Sequence, residues 1–343
     1  MRYTLRLKML VALLPLVAVG VIALAALTYF SASKASEQAF AKTIEQKLQR
    51  TRLELSTWVG NRVRDAEILA TAPAVRLALY INKPSMAQKQ LESFSKLSPM
   101  YENVFLANLD GTLVADIKGG AAAGVDLDTL EAFAANAEHA RKGEMWISPA
   151  SKSPVTGEIS VLLTYPVYKE DKLVGFVGLP FYLSAFSKDF LKGQTVGETG
   201  YLTMVDHTAM LLSHPNPKHI MSTAFRETNF GKALQAQESG SIDYVFGGVD
   251  KRMYWLSDPT TQWRVIAMLS TSDFFIESRK LAGQILLFSV VILLLLGGMI
   301  ILVTTRLTAP IRFATTVMEA VGHGRLQDRI ASSQSDEVGM LSR

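Results

Sequence analysis

The chain has 343 residues, 49% hydrophobic and 19% charged, with no cysteine and a formal charge of +4. Soluble domains carry about 25% charged residues, so a wholly soluble protein is not expected, and without cysteine any exported part is held by its core. The basic excess lies at the two ends while residues 34–280 are balanced, which removes the electrostatic case for nucleic-acid binding.

In chain order, residues 1–8 carry Arg2, Arg6 and Lys8 without an acid, and residues 9–33 then contain no charged side chain. A second charge-free run covers residues 281–305. As a helix each run is roughly 37 Å long at ~1.5 Å per residue, enough to cross a ~30 Å hydrocarbon core. Transmembrane helices are therefore expected at 9–32 and 281–305. Positive charge beside both runs puts residues 1–8 and 306–343 in the cytoplasm and the middle outside. The first run exceeds the about 7–15 residues of a signal-peptide core, so it is read as a retained anchor.

Residues 33–72 predict a stalk helix. Ile44, Leu48, Leu55, Val59, Val63 and Leu69 recur at helical spacing, and Lys42, Glu45, Lys47, Arg50, Arg52, Arg62 and Asp65 fill the other faces. Pro73 is expected to interrupt it, and its spare length suggests a homodimer seam. Two β-rich stretches follow within 104–116, split by Asp110-Gly111, a strong hairpin signal. A helix over 127–142 leads to an antiparallel meander at 145–148, 159–168 and 173–183. The same order returns about 97 residues later, with strands in 201–214, a helix at 230–238 and strands at 242–246, 251–256 and 263–269. From Ser272 no breaker intervenes before the second apolar run. The expectation is an α+β fold, with a distal module over 73–190 and a proximal module over 191–272.

This order resembles the double Cache extracytoplasmic domain of bacterial chemoreceptors and related sensors, two PAS-like modules on a stalk helix. The likeness covers roughly residues 33–280. It is carried by Leu109-Asp110-Gly111-Thr112, Ser153-Pro154-Val155-Thr156-Gly157, Tyr165-Pro166-Val167-Tyr168, Leu173-Val174-Gly175-Phe176-Val177-Gly178 and Leu212-Ser213-His214-Pro215-Asn216. Beyond the second apolar run, Pro310-Ile311, then Ala314, Val317 and Val321, then Gly322-His323-Gly324-Arg325-Leu326 and Asp336-Glu337-Val338-Gly339-Met340-Leu341 resemble a HAMP linker cut short at Arg343. Arg325 stands where that family usually has an acid. The resemblance implies a methyl-accepting chemotaxis receptor of the bacterial inner (plasma) membrane, multi-pass, with a periplasmic sensor. It also implies Pro310, Asp336 and Glu337 as signal-relay residues and downstream kinase or adaptor proteins as partners. The chain is then expected to be the N-terminal part of a longer receptor. The alternative is the sensor part of a membrane histidine kinase or diguanylate cyclase.

No phosphate-binding loop, dinucleotide fingerprint, zinc-protease motif or nucleophile elbow is present, so no catalytic residue and no cofactor is assigned. His207, His214 and His219 match no common metal-ligand spacing, and Asp126 with Asp128 lacks the rest of a calcium loop, so no metal is assigned either. The chemistry expected is capture of a small molecule in the distal module by side chains on the inner sheet face. Candidates are Phe105, Trp146, Ser148, Tyr165 and Phe181, with Arg141 as an anion partner; plain core is the competing reading for the aromatics. Amino-acid-binding members of the resembled family carry an Arg-x-Trp-Tyr-like motif and an Asp closing the last strand. Here that motif is missing before Trp146, Ala150 takes the place of a loop Tyr, and Pro180 stands about where the Asp would be. A free amino acid is therefore disfavoured, leaving a carboxylate, an aromatic compound or a neutral metabolite.

Overall fold

The computed structural model of the protein describes residues 5–97, 100–153, 156–191 and 193–322. Helix α1 (Leu5–Thr71) is followed by α2 (Pro73–Tyr80) and α3 (Gln88–Leu97). Pro73 opens α2, where its missing N–H costs no bond, so the expected interruption falls there. Next come β1 (Phe105–Ala107), β2 (Leu113–Asp116), α4 (Ala134–Arg141), β3 (Trp146–Ile147), β4 (Ser151–Lys152), β5 (Ile159–Lys169), β6 (Lys172–Tyr182) and α5 (Leu183–Phe186). A second series holds β7 (Thr195–Val196), β8 (Gly200–Val205), β9 (Leu211–Ser213), α6 (Asn229–Ala236), β10 (Ser239–Phe246), β11 (Val249–Ser257) and β12 (Arg264–Ser270). Helix α7 (Ile276–Gly322) follows.

The chain divides into two compact units, residues 1–39 with 274–343, and residues 40–273. The first holds the apolar parts of α1 and α7, two helices long and apolar enough to cross a membrane. Their Leu16, Leu27, Leu294 and Leu295 are exposed, as lipid-facing residues are in a chain without lipid. Two hydroxyls of these helices donate to their own backbone: Thr28 to the Leu24 carbonyl (2.8 Å) and Thr308 to that of Thr304 (2.5 Å). Helix α7 continues through Pro310 to Gly322, so the start of the HAMP-like pattern at Pro310 lies within one continuous helix. A proline inside a helix removes one N–H bond and can bend the axis without ending it. Asp336 and Glu337 lie outside the described residues.

The second unit holds two antiparallel sheets with one topology. The distal sheet runs β2-β1-β6-β5-β3, with β4 also on β5. The proximal sheet runs β10-β11-β12-β8-β7, with β9 also on β8. In each, the last strand of a meander pairs with the first strand of a preceding hairpin. The hairpin turns match in detail. The Asn108 carboxamide accepts from the Thr112 N–H (3.0 Å), and the Asp206 carboxylate from the Met210 N–H (2.9 Å). The fourth position is left-handed in both, at Gly111 and Ala209.

Within this unit α1 covers one face of the distal sheet. Ile44, Leu48, Leu55, Val59 and Leu69 of α1 are buried, following the helical spacing, with Leu48 near β10 and β11 of the proximal sheet. Trp58 completes the contact, edge-on to Phe181 with ring centroids 5.3 Å apart and tilted against Phe186 at 5.4 Å. Two details differ from the expected amphipathic pattern. Arg62, expected on a solvated face, is buried: its guanidinium lies 4.3 Å over the Trp58 ring and donates to the Trp58 carbonyl and the Met100 sulfur. Burial pulls the Arg62 guanidinium below its ordinary range. Leu53 and Ile68, conversely, are exposed. Nearby, Tyr101 donates to Asp65 at 2.5 Å; burial and this bond push the phenol far above its usual range.

Truncating Trp58 removes the aromatic joint between stalk and sheet. Trp58→Ala should cost about 3–5 kcal/mol, a fall of roughly 10 °C in Tm at ~2–4 °C per kcal/mol for a unit of this size. Scanning calorimetry of the detergent-solubilised chain measures it.

Candidate functional site

Residues on a strand alternate between faces, so one face of the distal sheet is committed to α1 and only the other can serve a ligand. On β5, Val161 and Leu163 belong to the buried α1 side, whereas Ser160 and Leu162 face the opposite layer. On β6, Phe181 pairs with Val161 and Pro180 with Leu162. That opposite layer encloses a cavity of about 350 Å3 between the sheet, the loop after β2 and the segment leading to α4. Its walls are mostly apolar, with Phe105, Leu113, Leu127, Phe133 and Leu162 among them.

Glu102 is the acidic residue in this wall. It is 8% exposed and lines the cavity beside Pro180, whose carbonyl accepts its N–H at 3.0 Å. The Ser153 and Thr156 hydroxyls donate to one carboxylate oxygen, the latter at 3.2 Å. Among the described residues no basic side chain pairs with it. A buried carboxylate held only by hydroxyls is costly, and a cation entering the cavity would offset that cost. Lys118, on the loop after β2, is an exposed basic group on the lining.

The loop over the cavity is fastened from below. Fully buried Asp116, the last residue of β2, accepts the N–H groups of Lys118 (2.7 Å), Gly120 (2.9 Å) and Ala122 (2.5 Å). This carboxylate thus shapes the wall that Lys118 and Ala122 contribute.

Of the six residues expected at a ligand site, Phe105 lines this cavity. Phe181 is on the α1 face, against Trp58, and Tyr165 shares its strand parity, with Glu67 of α1 close enough to raise its phenol, though burial raises it more. Trp146 stacks flat on His139 at 3.8 Å, away from the cavity lining. Ser148 is spent on the backbone, donating to the Pro149 carbonyl and accepting from the Leu162 N–H. Arg141 is paired with Asp128 and donates to the Leu109 (2.8 Å) and Asp110 (2.9 Å) carbonyls, closing the β1–β2 turn. The shared inner face expected for the six is therefore corrected by strand parity and by these engagements. Sequence reading missed Glu102 because it precedes β1 and belongs to no motif. Its place beside Pro180 also removes the physical reason for disfavouring an ammonium group, since the missing acceptor is supplied from a neighbouring segment.

The centre of the proximal module is filled by side chains. Phe225, Phe230 and Tyr244 pack ring on ring there, with centroids 5.0 and 4.7 Å apart, over Trp255 and Met268.

Two substitutions test the cavity walls. Gly178 pairs with Phe105, and a Cβ there would stand 2.0 Å from the Phe105 ring. Gly178→Ala should displace the ring and change the cavity, abolishing ligand-induced Tm shifts. Asp116→Asn should loosen the loop by about 1–3 kcal/mol, read as faster amide exchange at 118–122 with the proximal module unaffected.

Residues 25–277 match the Cache domain family. A probable methyl-accepting chemotaxis protein of Bacillus thuringiensis is 20% identical over 254 residues, 74% of this chain and 37% of its own length. The methyl-accepting chemotaxis protein McpC of Bacillus subtilis is 26% identical over 201 residues, 58% of this chain and 29% of its own. The chain thus spans 29–37% of the length of these curated relatives. Among solved structures, the ligand-binding domain of the Pseudomonas fluorescens chemoreceptor CtaA, in complex with L-isoleucine, superposes with a TM-score of 0.56 at 14% identity, covering 72% of this chain and 98% of that one. With one sheet topology repeated along a stalk helix and the family match running through both copies, the chain belongs to the Cache domain family.

Proposed function

We propose that this chain is the sensor region of a methyl-accepting chemotaxis receptor of the bacterial inner membrane, taking a small ammonium-bearing ligand in its distal cavity. The observation that carries the reading is Glu102, a buried carboxylate without a basic partner among the described residues, set in a mostly apolar cavity of about 350 Å3. The matching ligand has one cationic head and a compact apolar body, and Lys118 is placed to meet an anionic group if the ligand carries one. An aliphatic amino acid has these features, as does the L-isoleucine of the CtaA complex. Binding closes the Asp116-held loop, and the change reaches the second span as a helix shift of about 1–2 Å, within the limit set by the ligand's differential affinity for the two states. Charge-free runs flanked by basic ends support a periplasmic sensor between two spans. A homodimer seamed by the stalk, downstream kinase or adaptor proteins, and relay through Pro310, Asp336 and Glu337 complete the proposal.

Thermal-shift screening of the chain in nanodiscs should find primary amines with short apolar bodies and pass over neutral and purely anionic metabolites. Glu102→Gln should cost about 1.5–3 kcal/mol of binding, about 10- to 100-fold in Kd. Joined to the signalling domain of a chemotaxis receptor in a receptorless strain, the chain should confer swimming responses to the same compounds, and the Glu102→Gln chimera should not. Binding unchanged by Glu102→Gln overturns the ligand class, and binding without a swimming response overturns the output.

A further inference from the structure

The Glu102 carboxylate accepts from the Ser153 and Thr156 hydroxyls, and a hydroxyl turns about its C–O bond, so these donors do not fix where the carboxylate stands. Its place is set by the backbone that carries it. The Glu102 N–H donates to the Pro180 carbonyl at 3.0 Å, and Tyr101 forms an antiparallel bridge with Phe181. Residues 101 and 102 are thus a short extension along β6, and successive residues of an extended segment point to opposite faces. Glu102 takes the cavity face with Pro180, and Tyr101 takes the α1 face with Phe181.

On the α1 face this extension is tied to one stripe of the helix. Trp58, Arg62 and Asp65 recur at helical spacing along α1 and so share a face. The hydroxyl of buried Tyr101 donates to Asp65 at 2.5 Å. Buried Arg62 donates to the Trp58 carbonyl at 2.8 Å and to the sulfur of Met100, the residue before Tyr101. Trp58 in turn packs edge-on against Phe181, the bridge partner of Tyr101. Met100 and Tyr101 therefore grip the helix, while the next residue lines the cavity.

A single planar peptide, ~3.8 Å from Cα to Cα, separates Tyr101 from Glu102. A displacement of the Glu102 backbone is handed to Tyr101, and the close packing around its ring and that of Phe181 leaves little room to absorb it. From this geometry we infer that Tyr101 is the positioning residue of the distal cavity. Its bond to Asp65 sets where the Glu102 carboxylate stands, and the same bond carries ligand binding at Glu102 to the Arg62–Asp65 turn of α1. The inference rests on the reading of the cavity as a site for an ammonium-bearing ligand. Coupling of this kind is reciprocal: a helix held at Asp65 favours the ligand as much as the ligand favours the bond.

The test uses the whole chain in nanodiscs, with L-isoleucine and isobutylamine as probes and titration calorimetry as the first readout. Tyr101→Phe keeps the ring and removes the hydroxyl, and Asp65→Ala removes its acceptor. Each should weaken binding about 3- to 10-fold, and the double variant should bind no worse than either alone. Added to Glu102→Gln, Tyr101→Phe should cost nothing further, because it acts through that carboxylate. Hydrogen exchange is the second readout: a bound probe should slow amide exchange at residues 62–66 in the wild-type chain but not in Tyr101→Phe. A merely structural Tyr101 would lower Tm and leave both readouts where they were, and that result overturns the inference. A full cost of Tyr101→Phe in the Glu102→Gln background overturns it too. Binding that depends on Glu102 but not on Tyr101 overturns the inference alone and leaves the ligand reading intact. If neither probe binds the wild-type chain, the ligand reading fails and the inference with it.

Discussion

The distal module depends on the contact between Trp58 of the stalk helix and Phe181 of β6. Because a strand shows alternate residues to opposite faces, the contact fixes the assignment of every neighbour. Val161, Leu163 and Phe181 serve the stalk, while Ser160, Leu162 and Pro180 serve the cavity. A shift of register by one residue would exchange the two sets. The helix that fastens the sheet therefore also decides which side chains a ligand can meet. Gly178 fits the same logic, since its lack of a side chain is what lets Phe105 lie over the sheet as part of the cavity wall.

The fold was legible because its signals are local and repeated. Charge-free runs, the Asp110-Gly111 turn, strands rich in β-branched residues and the second pass of the same order are all visible in the sequence, and the structure realises them with one strand topology twice. The two-residue β4 and β7 are too short to show a period, and α2 and α3, though amphipathic, are only 8 and 10 residues long. The cavity was less legible. Aromatic type alone does not say which face a residue takes, so Phe105 and Phe181, both plausible by composition, lie on opposite sides. Arg141 and Trp146 looked available because their partners, Asp128 and His139, are brought to them only by folding. Glu102 acquires meaning solely from three-dimensional neighbours, Ser153, Thr156 and Pro180.

Four buried aspartates hold the loops of the second unit by accepting backbone N–H groups. Asp116 fastens the cavity loop, Asp206 the proximal hairpin turn, Asp258 the turn before β12, and Asp273 the turn at Glu198 and Thr199. In each, one carboxylate oxygen or both take backbone N–H groups close by in the fold, which is how buried charge is tolerated, although Asp258 and Asp273 each keep one buried oxygen without a partner among the described residues. Glu102 is built differently, with hydroxyl donors that can turn and no backbone amide fixed upon it among the described residues. A group meant to exchange partners is better served by such mobile donors than by a rigid nest.

Asp273 is the last residue of the second unit, and its carboxylate takes the Glu198 and Thr199 N–H groups at 3.1 and 3.0 Å and the Thr199 hydroxyl at 3.1 Å. The modular boundary that matters for recombination therefore lies after this residue, not at the end of the last strand. Sequence exchanged upstream of Asp273 would leave the β7–β8 turn without its anchor, whereas exchange downstream keeps the sensor whole. A domain architecture that reuses one input region with many outputs needs such a seam, and here a single side chain marks where it runs.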